Sequence, residues 1–188
     1  MKEPDGQLVG WSQIHDPAAF AELVWRHGAA VHAYLARRTR RQEADDLLSE
    51  VWLKAFSGRA AYDSSWPDAR PWLYGIARNV LLNHLRREDR PLSLPAASSV
   101  DPWPEVDSRI DASSQWSAMC SALRTLSEDD REVLLLVAWE GLTPAEVALA
   151  LGVPQGTVRS RLHRARHALA DRLEIDPRSP LIPTDTEV

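Results

Sequence analysis

The chain has 188 residues, with 22 Lys and Arg against 27 Asp and Glu for a formal net charge of −5, and a composition ordinary for a soluble protein. Its length admits one large domain or two small ones, each with its own core. The first residues show no secretory apolar segment, the longest strongly apolar run (VLLLVAW, 133–139) is too short to span a bilayer, and the lone Cys120 makes neither an internal disulfide nor a zinc site by itself. A cytoplasmic protein with no membrane insertion of its own is expected, with Cys120 a small apolar helix residue.

Residues 1–15 read as an N-terminal extension. From Asp16 to Arg90 the apolar residues recur at helical spacing and no stretch alternates with period two, so this half is expected to be all helix. Asp16 and Pro17 supply an N-cap and a first-turn residue, after which Phe20, Leu23, Val24, Val31, Tyr34 and Leu35 form one stripe. In RQEADDLLSEVWLKAF the apolar face is broad: Leu47, Leu48, Val51, Trp52, Ala55 and Phe56. SGRAAYDSSWPDAR breaks the pattern with Gly, Ser and Pro. PWLYGIARNVLLNHLRRE then places Trp72, Leu73, Ile76, Ala77, Val80, Leu81 and Leu85 on a buried face.

Residues 91–114, PLSLPAASSVDPWPEVDSRIDASS, hold Pro91, Pro95, Pro102 and Pro104 and cannot continue a helix, so they read as a flexible linker whose acidic later part is a solvated spacer. Beyond it, Ser127 followed by Asp130 is a capping-box pattern, and Thr143, Pro144 and Glu146 repeat that pattern with proline at the first helical position. AEVALA runs into LGVP, where Gly152 supplies a turn and Pro154 presets the next helix; this is helix-turn-helix spacing. In the last helix Val158, Leu162, Ala165, Leu169 and Leu173 make the buried stripe and leave Arg159, Ser160, His163, Arg164 and His167 outside. The Pro-rich polar tail, residues 175–188, is expected to be disordered.

That last helix carries a local charge the chain as a whole lacks. From Pro154 to Leu173, Arg159, Arg161, Arg164, Arg166 and Arg172 stand against Asp171 alone, 5 − 1 = +4. A helix entering the major groove needs arginines that fork onto guanine or phosphate oxygens near its N-terminal half, and Arg159, Ser160, His163 and Arg164 meet that need. The acidic remainder of the chain opposes indiscriminate binding.

EADDLLSEVWLKAF, followed by ARPWLYGIARNVLLNHLRRE and then by the helix-turn-helix, resembles the extracytoplasmic-function (ECF) group of bacterial RNA polymerase sigma factors over residues 16–174. The resemblance implies an all-α protein of two small domains, sigma region 2 at 16–90 and sigma region 4 at 115–174. Such a protein binds core RNA polymerase, recognises a bipartite promoter in duplex DNA and helps melt it.

It further implies that Asp45, Asp46, Leu48, Glu50, Trp52 and Lys54 meet the polymerase clamp, an apolar and acidic face against a basic helical pair. Tyr62, Trp66, Arg70, Tyr74, Arg78, Asn79, Asn83, His84, Arg86 and Arg87 fall to the minus-ten element, where rings stack on unpaired bases and cations hold phosphates. Periodicity keeps Trp72 for the core. Gln155, Thr157, Arg159, Ser160, Arg161, His163 and Arg164 fall to the minus-thirty-five element, His163 serving either as a base contact or as a neutral filler. Pro154 and Gln155 stand where relatives often carry serine or valine, a departure that bears on the N-cap contact to phosphate but not on the docking. An anti-sigma factor is the implied regulatory partner, and the linker permits it to wrap both domains.

Two other classes compete. Asp45, Asp46 and Glu50 on one helix suggest the aspartate-rich metal helix of a magnesium-dependent enzyme, but a second acidic motif is missing and the chain is too short to enclose a large apolar cavity. No nucleophile-elbow signature is present either, so no catalytic residue, metal or cofactor is assigned. The other alternative is a stand-alone helix-turn-helix repressor or response-regulator output, which would need a dimerisation surface and no aromatic and arginine cluster at Tyr62–Arg87.

Overall fold

The computed structural model describes residues 3–14, 16–88 and 118–173, which form helices joined by turns and loops with no strand among them; the linker 91–114 and the tail 175–188 lie outside the described residues. The elements are α1 (Asp5–Ile14), α2 (Ala19–Ala36), α3 (Arg41–Gly58), a 3-10 turn (Arg59–Ala61) and α4 (Arg70–Arg87), then α5 (118–124), α6 (Glu128–Ala138), α7 (Pro144–Leu151) and α8 (Gln155–Leu173). Two compact units result. The first holds α1 to α4, and the second holds α5, α6, α8 and most of α7.

In the first unit, the helical spacing of apolar residues closes one core. Leu23, Val31, Tyr34 and Leu35 of α2 meet Ala44, Leu47, Val51 and Ala55 of α3 and Leu73, Ala77, Val80, Leu81 and Leu85 of α4, all buried. Phe20 sits edge-on to Trp52 and Phe56, with centroids 6.0 and 5.3 Å away. Val24, expected in the buried stripe, is exposed, because it lies one residue round from fully buried Leu23 at the edge of the apolar arc. Asp16 accepts the Ala18 N–H at 2.8 Å, so it caps the turn that leads into α2 rather than α2 itself.

The expected extension is part of this unit. Leu8 and Val9 of α1 are buried and α1 packs on α2. Its apolar content is too small for periodicity to reveal; an ion pair supplies the anchor instead. Buried Asp5 bonds Arg26 at 3.1 Å and His27 at 2.7 Å, both on α2.

In the second unit, Leu123, Leu126, Val133, Leu136, Leu142, Val147, Val158, Leu162, Ala165 and Leu169 form the core, and α6 packs along α8. Truncating one such buried leucine to alanine costs about 2–5 kcal/mol. Thr143 and Glu146 form the reciprocal capping box, each side chain taking the other's backbone N–H, at 3.3 and 2.7 Å. At Ser127 only half of the box forms. Its hydroxyl accepts the Asp130 N–H at 3.1 Å, while the Asp130 carboxylate turns away to α8. α7 ends on Gly152 at φ 65°, with the Val153 and Gly152 N–H groups donating to Ala148 and Leu149 in a Schellman turn that only glycine enters freely. Pro154 then opens α8, its carbonyl accepting the Thr157 N–H at 2.9 Å.

Candidate functional sites

Between the 3-10 turn and α4, residues 62–69 form a loop that is held from beneath. Tyr62, expected to meet DNA, is 9% exposed; its hydroxyl donates to the carbonyls of Trp66 and Asp68 at 3.0 and 3.3 Å, and its ring lies 5.0 Å from Trp72. Burial, with Asp5, Asp68 and Asp63 nearby, pushes the Tyr62 phenol up to about 12, so it stays a neutral hydrogen-bond donor. Tyr74 is buried too, 5.4 Å from Tyr34. Both tyrosines, expected to stack on bases, are thus covered within the unit. Trp66 remains the outward ring of the loop, 44% exposed.

α1 supplies the other side of this brace. The Asp5 N–H donates to the Pro67 carbonyl at 3.1 Å, and the Ala69 N–H donates to the Asp5 carboxylate at 3.3 Å. Gln13 donates to the carbonyls of Arg59 and Tyr62, and Arg59 donates back to the Ser12 carbonyl. Gly6 lies so close that a Cβ there would overlap the Trp66 carbonyl oxygen and come within 2.6 Å of that of Ser64. Burial pulls the Asp5 carboxyl upward in pKa, but the His27 hydrogen bond and charge, the Ala69 N–H and Arg26 outweigh it, leaving a net lowering.

On α4, Asn79, Asn83, Arg86 and Arg87 are exposed at spacings of four, seven and eight and share a face, with Arg78 half-buried beside it. Arg70 is engaged by Asp68, 2.7 Å away, and Asp68 also accepts the Arg70 N–H at 2.9 Å in an Asx turn that leads into α4. His84 turns toward Glu43 of α3 at 3.4 Å. Glu43, His84 and Glu88 bring ligand atoms within 4.8 Å, the one metal-capable cluster among the described residues. Within it Glu43 already accepts the Arg40 N–H and pairs with His84.

On α3, Asp45 and Asp46 are exposed, the former 3.0 Å from His32, and Glu50 pairs with Lys54 at 2.8 Å. Leu48 and Trp52 are half-buried, and the covered Trp52 indole N–H finds no acceptor among the described residues. The sequence reading missed Leu53, which is 69% exposed between Glu50 and Lys54. A leucine off the buried stripe, on a face with Asp46 and Glu50, was the available signal.

On α8, Gln155, Arg159, Ser160, His163 and Arg164 are exposed. The His163 and His167 rings lie 4.2 Å apart, and the Ser160 hydroxyl is turned to the Thr157 carbonyl at 2.9 Å. Half-buried Thr157 lies nearer the core. Arg161 departs from expectation: it is mostly covered and paired with Asp129 of α6, because its position on α8 faces that helix. Arg164 pairs with Asp130 but stays 58% exposed.

The chain matches sigma-70 region 2 over residues 23–91 and sigma-70 region 4 over residues 119–169. It is 34% identical to the ECF RNA polymerase sigma factor SigE of Mycolicibacterium smegmatis, covering 91% of this chain and 68% of that one. This chain belongs to the ECF sigma factors of bacterial RNA polymerase. This sigma factor is also 34% identical to SigM of Mycobacterium tuberculosis over 88% of its own length and 83% of SigM's. It is 33% identical to the sigma-H factor of Pseudomonas aeruginosa over 92% and 95% of the two chains. Among solved structures, CnrH in complex with the cytosolic domain of CnrY matches with a TM-score of 0.64 at 26% identity over 90% of this chain and 97% of CnrH. RpoE of Bartonella quintana, solved with the anti-sigma factor NepR, shares the fold at a TM-score of 0.64 and 23% identity, over 85% and 99% of the chains.

Proposed function

We propose that this transcription initiation factor binds core RNA polymerase through α3, reads the upstream promoter element with α8 and captures the melted minus-ten strand with Trp66 and the Asn79, Asn83, Arg86 and Arg87 face of α4. The observation that carries the reading is the exposed polar face of α8, with Arg159, His163 and Arg164 outside a fully buried Val158 and Ala165, in a member of this family. On α3, Asp45, Asp46, Glu50, Leu53 and Lys54 present an acidic face with an apolar centre, suited to a basic helical partner. The factor performs no catalysis of its own and acts where the polymerase is, in the cytoplasm; among the described residues no helix is long and apolar enough to cross a membrane. CnrH is held by a cytosolic protein domain; a partner of this kind, an anti-sigma factor, is proposed to restrain this chain.

The test is transcription from a genomic promoter library by purified core polymerase with and without the factor. Start sites that share two spaced upstream motifs are expected. If no promoter activity is gained while the protein alone protects a duplex site, the repressor reading replaces this one. Asp46→Arg reverses a charge on the α3 face and is expected to weaken association with core polymerase at least about tenfold; an undiminished affinity in a pull-down removes Asp46 from the interface.

A further inference from the structure

We propose that Asp130, on the helix before the helix-turn-helix, sets the base selectivity of Arg164 by holding one edge of its guanidinium; the inference rests on the reading of α8 as the upstream promoter helix. The geometry is a fork on a fork. Arg164 Nε donates to Asp130 Oδ2 at 3.3 Å and Nη2 donates to Oδ1 at 2.8 Å. Asp130 is fixed at its backbone by the Ser127 cap, and its carboxylate is 13% exposed while the arginine is 58% exposed. The anchored partner is thus the acid, and the partner that faces outward is the base.

A guanidinium offers five N–H donors in three directions. Asp130 takes the Nε and Nη2 edge. The parallel pair at the outer end, one N–H on Nη1 and one on Nη2, stays available, and its spacing matches the O6 and N7 acceptors of guanine. An unheld arginine on a flexible stem reaches for the nearest phosphate and gains affinity on any sequence. Held by Asp130, the pair is electrically neutral, and a phosphate brought close is repelled by the carboxylate. Arg164 then gains chiefly where a guanine edge presents two acceptors in line.

The neighbouring pair shows the contrast. Arg161 is 20% exposed and its partner Asp129 53% exposed, so there the arginine is the anchored side and lends nothing to DNA. Arg159 has no acidic partner among the described residues and is left to grip phosphate.

The experiment uses the reconstituted holoenzyme and a promoter fragment recovered from the library, with a second fragment in which the upstream motif is scrambled. Affinity for both is measured over a salt series for the wild type, Asp130→Ala, Asp130→Asn, Arg164→Ala and the Asp130→Ala/Arg164→Ala double variant. Both Asp130 variants are expected to tighten binding to the scrambled fragment, to lower the ratio of specific to scrambled affinity about fivefold, and to steepen the salt slope by about one ion. On the Arg164→Ala background, Asp130→Ala is expected to change the ratio no further. An unchanged ratio, or equal weakening on both fragments with a lowered melting temperature, would make the pair a mere staple between α6 and α8 and overturn the proposal. If Arg164→Ala itself leaves the ratio unchanged, the reading of α8 falls and takes the proposal with it; if only the Asp130 variants leave it unchanged, that reading stands and the proposal alone fails.

Discussion

The two regions of this sigma factor proposed to face DNA are built in opposite ways. On α8 the residues that reach outward are those a helical wheel assigns outward, and the buried Val158, Leu162, Ala165 and Leu169 leave Arg159, Ser160, His163 and Arg164 on the open side. In the loop at 62–69, Tyr62, expected to meet unpaired bases, is drawn inside and holds the Trp66 and Asp68 carbonyls. A helix carries its own scaffold, so spacing decides exposure. A loop borrows its scaffold, here from α1, and exposure depends on residues distant in sequence.

The largest effect should come from breaking that borrowed scaffold. Gly6→Val places branched carbons where the Trp66 and Ser64 carbonyl oxygens lie, and neither backbone has room to yield without lifting α1 or the loop. A loss of about 3 kcal/mol is expected, at the upper end for overpacking, with promoter opening reduced in parallel. Permanganate footprinting of melted thymines alongside thermal unfolding reads both. A stability change below about 0.5 kcal/mol, the scale of an ordinary surface substitution, would mean that α1 is not docked on the loop and that the two regions are alike after all.

The comparison also marks how far the sequence is legible. The core residues of α2, α3, α4 and α8 follow from spacing, and so does the turn at Gly152, because local rules decide them. α1 reads as an extension from sequence because its anchor is polar: Asp5 is held by Arg26 and His27, and no periodicity announces an ion pair. Arg161 and Arg164 are both assigned from sequence to the minus-thirty-five element, and with each paired to an acid of α6 it is their exposure, 20% against 58%, that separates a covered arginine from a presented one. Leu53 is not legible as a surface contact because a leucine beside a buried stripe carries the same apolar signal as the core.

A smaller effect tests the polar anchor by pH. The Asp5 carboxyl lies below its usual 3.8 because its partners outweigh burial, so its contribution is fully present above that value and is lost as pH falls through the folded pKa. Asp5→Asn is expected to cost about 1–3 kcal/mol near neutral pH, the range for removing a charged partner from a covered network. The gap to the wild type should be full above the ordinary carboxylate range, begin to narrow as pH falls below about 4, where the unfolded chain takes up the proton, and close only once pH passes below the lowered folded pKa. Urea titrations across that range measure it; a gap that persists unchanged at pH 3 would show that the charge of Asp5 does not hold α1 in place.

The smallest effect is the sharpest divider between framework and contact. Tyr62→Phe removes one hydroxyl bonded to two loop carbonyls and should cost about 0.5–1.5 kcal/mol of stability, with promoter melting reduced only as far as the loop loosens. Trp66→Ala removes an exposed ring and should leave stability within about 0.5 kcal/mol while weakening capture of the melted strand by about 1–3 kcal/mol, the value of one stacked base. The two substitutions thus cross: one moves the unfolding transition, the other moves open-complex lifetime on a heparin challenge. If Tyr62→Phe instead shortens the open complex with an unchanged melting temperature, the phenol meets DNA directly, and the loop presents its first aromatic residue as openly as α8 presents Arg159.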